Sequence, residues 1–218
     1  MSYNYLFKLI VLGKESVGKT CLVDAWCGRP FRCFFDSTVG VDFDAKSVYT
    51  DGLRIKNHIW DITGQQKFAT IISAYYGKCA GVFILFDVTN KQSFFNIDYW
   101  IQEVKKKNNN ILPPTVVIGA KTDKKNRTVS YDEAQKFVED RNLKYIETSS
   151  KNHINVEESF RLLVEEIYSN IDNNSENLPG GVRRGALRKF NKLHYNKSKK
   201  YRNCDPCTED SWKCCLIS

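Results

Sequence analysis

The sequence predicts an α/β fold: a mostly parallel six-stranded sheet with one antiparallel edge strand and helices on both faces. Three observations carry this prediction. Apolar runs of strand length alternate with stretches of helical periodicity, the pattern of parallel strands joined through crossover helices. The first apolar run passes through a glycine-bounded loop directly into a helix-like stretch. Two segments that alternate apolar and polar residues flank Asp51-Gly52, a strong hairpin signal that supplies the antiparallel edge.

Residues 5–12 read as a buried strand and 18–27 as the helix after the loop, ended by Gly28-Arg29-Pro30. An irregular, aromatic-rich stretch follows over 31–38, and the hairpin strands are 41–49 and 53–60. Beyond Asp61-Ile62-Thr63-Gly64 a polar segment leads to Tyr75-Tyr76, and residues 82–86 form a continuous apolar strand ending at Asp87. Phe94, Ile97, Ile101 and Val104 space a helix over 94–107, and Val116 to Gly119 read as another buried strand. Residues 131–140 read as a helix, 143–147 as a short strand, and 156–171 as a last helix with Val156, Phe160, Leu163, Val164 and Ile167 at helical spacing. Ligands of such sheets bind at the carboxyl ends of the strands, where each distinctive loop falls.

The 218 residues suit one domain over 1–171 and a tail over 172–218 that loses all periodicity and is expected to be disordered. Residues 183–202 hold nine Lys or Arg and no Asp or Glu, and the tail carries +5 of the net +8, so the basic character belongs to the tail. No run of about 18 apolar residues occurs, so nothing is expected to span a membrane. The first residues lack a basic-then-apolar leader, which points to the cytosol and reduced thiols. Of eight cysteines, Cys21, Cys27, Cys33 and Cys79 are scattered through the domain as small core residues, and Cys204, Cys207, Cys214 and Cys215 crowd into the end. Three widely spaced histidines give no metal-ligand pattern with them.

The loop Gly13-Lys14-Glu15-Ser16-Val17-Gly18-Lys19-Thr20, running on into Cys21, has the form G-x-x-x-x-G-K-T between strand and helix. Gly13 and Gly18 let the backbone turn so that its N–H groups converge on phosphate oxygens, and the following helix N-terminus adds a positive dipole end. Lys19 would reach the β- and γ-phosphates and Thr20 would ligate Mg²⁺. The alternative is a glycine-rich turn without a ligand.

Three further stretches separate the phosphate-loop classes. Trp60-Asp61-Ile62-Thr63-Gly64-Gln65 resembles the D-x-A-G-Q segment of Ras-superfamily GTPases, Lys121-Thr122-Asp123 the tail of their N-K-x-D guanine box, and Glu147-Thr148-Ser149-Ser150-Lys151 their E-T-S-A-K loop. The resemblance runs from about residue 5 to 171 and implies the phosphate-loop small-GTPase fold. Thr38-Val39-Gly40-Val41-Asp42-Phe43, Tyr75-Tyr76 and Ile84-Leu85-Phe86-Asp87-Val88-Thr89 resemble stretches that mark the Rab type.

The resemblance implies a role for each position. Thr38 would bind Mg²⁺ and the γ-phosphate, Asp61 would hold Mg²⁺ through a water, and the Gly64 N–H would contact the γ-phosphate. Gln65 would be catalytic, orienting the attacking water, and loss of the γ-phosphate would release both loops. Asp123 would accept from the guanine N1–H and exocyclic amine, with Phe31 and the Lys121 stem on either face of the base, the Ser150 and Lys151 N–H groups at guanine O6, and Ser149 also in the guanine-binding set. Taken singly, Phe31 reads equally as a core aromatic, and Asp61 or Asp123 as a solvated strand-end carboxylate. Val39, Gly40, Val41, Asp42, Phe43, Trp60 and Tyr75 would form the effector surface, although aromatics at the last three positions fit core packing as well.

Three departures from the family bear on rate and affinity. Ala120 stands where the guanine box has Asn, which predicts weaker nucleotide binding and faster exchange; Thr63 replaces Ala beside the γ-phosphate; and Glu15 replaces a small residue, adding like charge and obstructing an incoming arginine finger. Cys215-Leu216-Ile217-Ser218 has the C-a-a-X form, with terminal Ser favouring farnesyl, whereas paired cysteines at Rab ends usually both carry geranylgeranyl. Cys214 and Cys215 are the lipidation candidates, and the upstream basic residues supply a second membrane signal.

The sequence thus predicts a prenylated, GTP- and Mg²⁺-binding switch that hydrolyses GTP slowly and regulates vesicle trafficking. Its expected partners are an exchange factor, an activating protein, effectors and a prenyl-binding escort protein, with no nucleic acid. Its expected place is the cytoplasmic face of intracellular membranes, with a cytosolic pool. The rival readings are a non-hydrolysing guanine-nucleotide scaffold and a nucleotide kinase, the latter without a recognisable arginine-rich lid.

Overall fold

A computed structural model of the chain describes residues 2–32, 40–50, 52–65, 72–171 and 178–185. Among them seven strands make one sheet: Tyr5–Gly13 (β1), Val41–Thr50 (β2), Leu53–Ile62 (β3), Gly81–Asp87 (β4), Thr115–Ala120 (β5), Lys144–Thr148 (β6) and Val182–Arg184 (β7). The helices are Lys19–Trp26 (α1), Lys91–Phe95 (α2), Ile97–Lys107 (α3), Tyr131–Glu139 (α4) and Val156–Ser169 (α5), with a 3₁₀ turn over Ser73–Tyr76.

The strand order is β2-β3-β1-β4-β5-β6, with every pair from β3 to β6 parallel. β2 pairs antiparallel with β3 across the turn at Gly52, whose φ of +71° is left-handed, so the hairpin forms the expected edge. Both faces of the central strand are buried. Tyr5, Phe7, Leu9 and Val11 enter one core beside α1 and α5; Ile10 and Leu12 enter the other beside α3. That double burial is why β1 reads as a continuous apolar run rather than an alternating one.

In the first core Trp26, fully buried, lies parallel to Phe160 at 3.8 Å between ring centroids. The Trp26 Nε1–H donates to Glu157 Oε2 at 3.0 Å, and Lys46 Nζ on β2 donates to Glu157 Oε1 at 2.7 Å, so one carboxylate joins α1, β2 and α5. Cys79 is buried, whereas Cys21 and Cys27 are only partly so; burial pushes the Cys79 thiol up to about 11.

Two expectations are corrected. The expected helix over 94–107 begins earlier and is divided at Asn96: the Asn90 side chain caps α2 by accepting from the Ser93 N–H at 3.2 Å, a polar start that apolar periodicity does not register. The sheet has seven strands instead of six, and the ordered part does not stop at 171. β4 begins opposite Leu9, which leaves the first half of β1 with an open edge on that side. β7 fills it antiparallel, with Tyr5 opposite Arg184, Leu6 opposite Arg183 and Phe7 opposite Val182. Val182 and Leu178 pack against the first core, so a segment read as unstructured tail closes an edge and covers apolar surface. The lipidation candidates Cys214 and Cys215 lie outside the described residues.

Candidate nucleotide site

The phosphate loop leaves β1 at Gly13, where φ is +147° and a Cβ would come within 2.5 Å of Leu85 O. Ser16 (φ +63°) and Gly18 (φ +107°) are also left-handed, so the loop curls back on itself before α1 begins at Lys19. Val17 is buried beneath it, while Glu15 and Ser16 face outward. Lys19 is buried, and its Nζ donates to Gly13 O at 3.0 Å and Lys14 O at 2.9 Å, so the ammonium sits inside the loop. Burial lowers its pKa to about 8, against which the Asp61 and Glu15 carboxylates hold the charge. Cys21 follows on the first turn of α1, half-buried.

Asp61 near the carboxyl end of β3 meets this loop. Thr20 Oγ1 donates to Asp61 Oδ2 at 2.5 Å, while Asp61 Oδ1 is buried with no hydrogen-bond partner. Burial raises the Asp61 pKa, and the Thr20 hydroxyl and Lys19 oppose that rise. A hydroxyl beside a carboxylate with one oxygen left open is a hard-oxygen donor set that suits Mg²⁺, which usually takes one or two protein oxygens and completes its shell with phosphates and water. Gly64 presses against the phosphate loop: a Cβ there would overlap Glu15 N and come within 2.5 Å of Gly13 O and of the Lys14 carbonyl carbon. Thr63 is buried, and its hydroxyl accepts from the Gln65 N–H at 3.3 Å, so it is turned toward its own chain. Gln65 Oε1 is buried and unpartnered. Gln65, Gly64, Glu15 and Lys14 line a half-open cavity of about 800 Å³ together with Gln92, Asn96, Tyr99 and Trp100.

The base-reading candidates converge from β5 and β6. Ser149, fully buried, donates through Oγ to Asp123 Oδ1 at 2.7 Å and accepts from the Asn152 N–H at 3.1 Å. The Thr122 N–H donates to Thr148 O at 3.2 Å, so the two loops are stitched together. Ser150 is half-buried and Lys151 exposed beside them. Lys121, at a left-handed φ of +67°, sends Nζ to Ser16 O at 2.5 Å, which ties the base loop to the phosphate loop. Ala120 is buried in the first core.

Phe31 is 38% exposed and belongs to neither core, which removes the core reading left open by the sequence. Phe43 (45% exposed), Trp60 and Tyr75 form a chain of ring contacts at 5.1 and 5.4 Å, continuing on the other side of Phe43 to His58 at 5.1 Å. Gly40 (φ +83°), Val41 and Asp42 lead into this surface, with Asp42 Oδ1 accepting from the Phe43 N–H at 2.8 Å. Thr38 and Val39 lie outside the described residues.

Two contributors escaped the sequence reading. Asp87 ends β4 and pairs with Lys121 Nζ at 2.8 Å; burial would raise its pKa, but Lys121 and Thr89 together hold it below the usual carboxylate range. Its signals were an acidic residue at a strand's carboxyl end and a place in the Ile84–Thr89 stretch, and neither pointed to Lys121. Arg127 grips Glu147 by two parallel hydrogen bonds of 2.7 Å, fixing the start of the Ser149 loop, and carried no signal.

A sequence model described as the Ras family matches residues 8–169. The human "Ras-related protein Rab-8B" is 37% identical over 205 residues, covering 91% of this chain and 94% of that protein. The "Ras-related protein Rab-8A" of Bos taurus is 38% identical over 187 residues, covering 85% and 90%. The chain belongs to the Ras family of small GTPases, which bind GTP and GDP with Mg²⁺. Within it the chain is of the Rab type, a GTP-binding and GTP-hydrolysing switch in membrane trafficking, whose partner kinds are exchange factors, activating proteins and effectors. The relatives favour this reading over the non-hydrolysing scaffold.

Proposed function

We propose that the nucleotide is held by the loop from Gly13 to Cys21, with Lys19 on its β- and γ-phosphates, and that Asp123, Lys121, Phe31 and the 149–151 loop read guanine. Thr20, Asp61 and Thr38 hold Mg²⁺, which neutralises phosphate charge when bound. Gln65 orients the attacking water, and the Gly64 N–H meets the γ-phosphate. The observation that carries the reading is the Thr20–Asp61 contact with Asp61 Oδ1 left open, because it joins the phosphate loop to the Gln65 segment at one oxygen-lined point.

Glu15 lines the same cavity as Gln65 and its carboxylate acts on the Lys19 ammonium, so it adds negative charge near the phosphates and slows hydrolysis even for this class. Cys214 and Cys215 carry prenyl groups, an escort protein keeps a cytosolic pool, and the lipidated form works at the cytoplasmic face of an intracellular membrane. Effectors read Phe43, Trp60 and Tyr75, with Val39 to Asp42 alongside.

Single-turnover GTP hydrolysis tests the catalytic assignment. Gln65→Leu is expected to slow the step at least about tenfold, as loss of a water-positioning group does, and Glu15→Ser to quicken it. An unchanged rate in Gln65→Leu would refute the role given to that residue.

A further inference from the structure

The carboxyl end of β1 carries the phosphate loop, and its amino end carries β7. At about 3.3 Å per residue the two lie roughly 25 Å apart along the strand. β3 and β7 flank β1 at that far end, setting Lys56 and Arg183 on either side of Leu6 in one row. Strand alternation puts all three on the face opposite Tyr5, Phe7, Ile55 and Val182, which are buried in the first core. Arg183 is exposed and Lys56 half-exposed. Two strand spacings separate them, about 10 Å. Lys78 is exposed beside the turn that delivers β7, where a Cβ on Gly180 would touch the Lys78 Cα at 3.5 Å. None of the three takes part in an ion pair among the described residues. The row also bears on its neighbour: His58 has its pKa lowered by burial and then by Lys56 and Arg183.

We infer that this end of the sheet is a docking face for an anionic phospholipid surface, with Lys56, Lys78 and Arg183 meeting headgroup phosphates. Docking of β7 supplies Arg183 to this face, so the tail builds part of its own membrane contact before it leaves the domain. The chain continues from Gly185 into residues 186–218, which hold the remaining basic run and the terminal cysteines. A membrane at this end also leaves the nucleotide loops at the opposite end of the sheet. The inference rests on the membrane reading above and adds a contact independent of the prenyl groups.

Vesicle sedimentation of the full, non-prenylated chain tests it. Lys56→Gln combined with Arg183→Gln leaves the backbone pairing and the basic tail intact. At about one kcal/mol per basic residue the pair is expected to weaken binding to phosphatidylserine-containing vesicles about thirty-fold at low salt. Pure phosphatidylcholine vesicles should show no such change. Gly181→Val keeps every charge but would overlap Ala80 N from a φ of +76°, so it should undock β7 and weaken vesicle binding while GDP binding persists. Parent-level binding in the double variant would overturn the inference. So would an equal loss on neutral vesicles, or a loss confined to a polyglutamate peptide, which would mark a protein partner instead. Because the tested chain carries no lipid, absence of prenylation in cells would refute the anchor and leave this result standing.

Discussion

Ala120 stands where the guanine box of the family carries Asn. The residue packs into the core, and the tie between base loop and phosphate loop passes instead through Lys121, held by Asp87 on one side and Ser16 O on the other. Ala120→Asn restores a hydrogen-bonding group worth about 1–3 kcal/mol and is expected to slow release of a fluorescent guanine nucleotide roughly 5- to 150-fold. Asp87→Asn removes the charged partner of Lys121. It should speed the same release roughly tenfold to a hundredfold, from the ~1.5–3 kcal/mol of a charge-assisted hydrogen bond. If Asp87→Asn released nucleotide at the parent rate, Lys121 would not need that anchor. The two residues also mark what was legible. Asp123, Gln65 and Lys19 stand in stretches with strict spacing, whereas Asp87 acts through a partner 34 positions away that only the β4–β5 pairing brings near.

At the scale of elements, α1 must hold the phosphate loop against the sheet, and Trp26 anchors its last turn. Its ring is stacked on Phe160 of α5 and its N–H is spent on Glu157. Trp26→Ala should cost about 3–5 kcal/mol, the range for truncating a large buried aromatic, seen as a lower denaturant midpoint with little change in slope. A loss below about 1 kcal/mol would mean that the two helices are held elsewhere. The elements read most surely from sequence were those with long apolar periods, β1, β4, β5 and α5. β7 was missed because three residues cannot display a period, and its two arginines read as tail. What makes it a strand is the vacancy beside the first half of β1, a property of the sheet and not of the segment.

For the whole molecule, the sheet separates two ends. The loops with the nucleotide candidates gather at the carboxyl ends of β1, β3, β5 and β6, and β7 and the last described residues gather at the other. The fold class and the location of the site were legible because parallel sheets present their loops at one end. The extent of the folded part was not, since composition changes at 172 while the backbone pairing continues to Arg184. β1 lies in the interior of the sheet, with β3 on one side from Tyr5 to Val11 and β7 followed by β4 on the other. Its amides can therefore exchange with solvent deuterium only when the sheet opens, and they should be among the last to do so in a native-state exchange experiment. The phosphate loop springs from that strand. When nucleotide departs, the loop can loosen at its tip while its root keeps full protection, so the emptied protein waits for its next nucleotide with its scaffold intact.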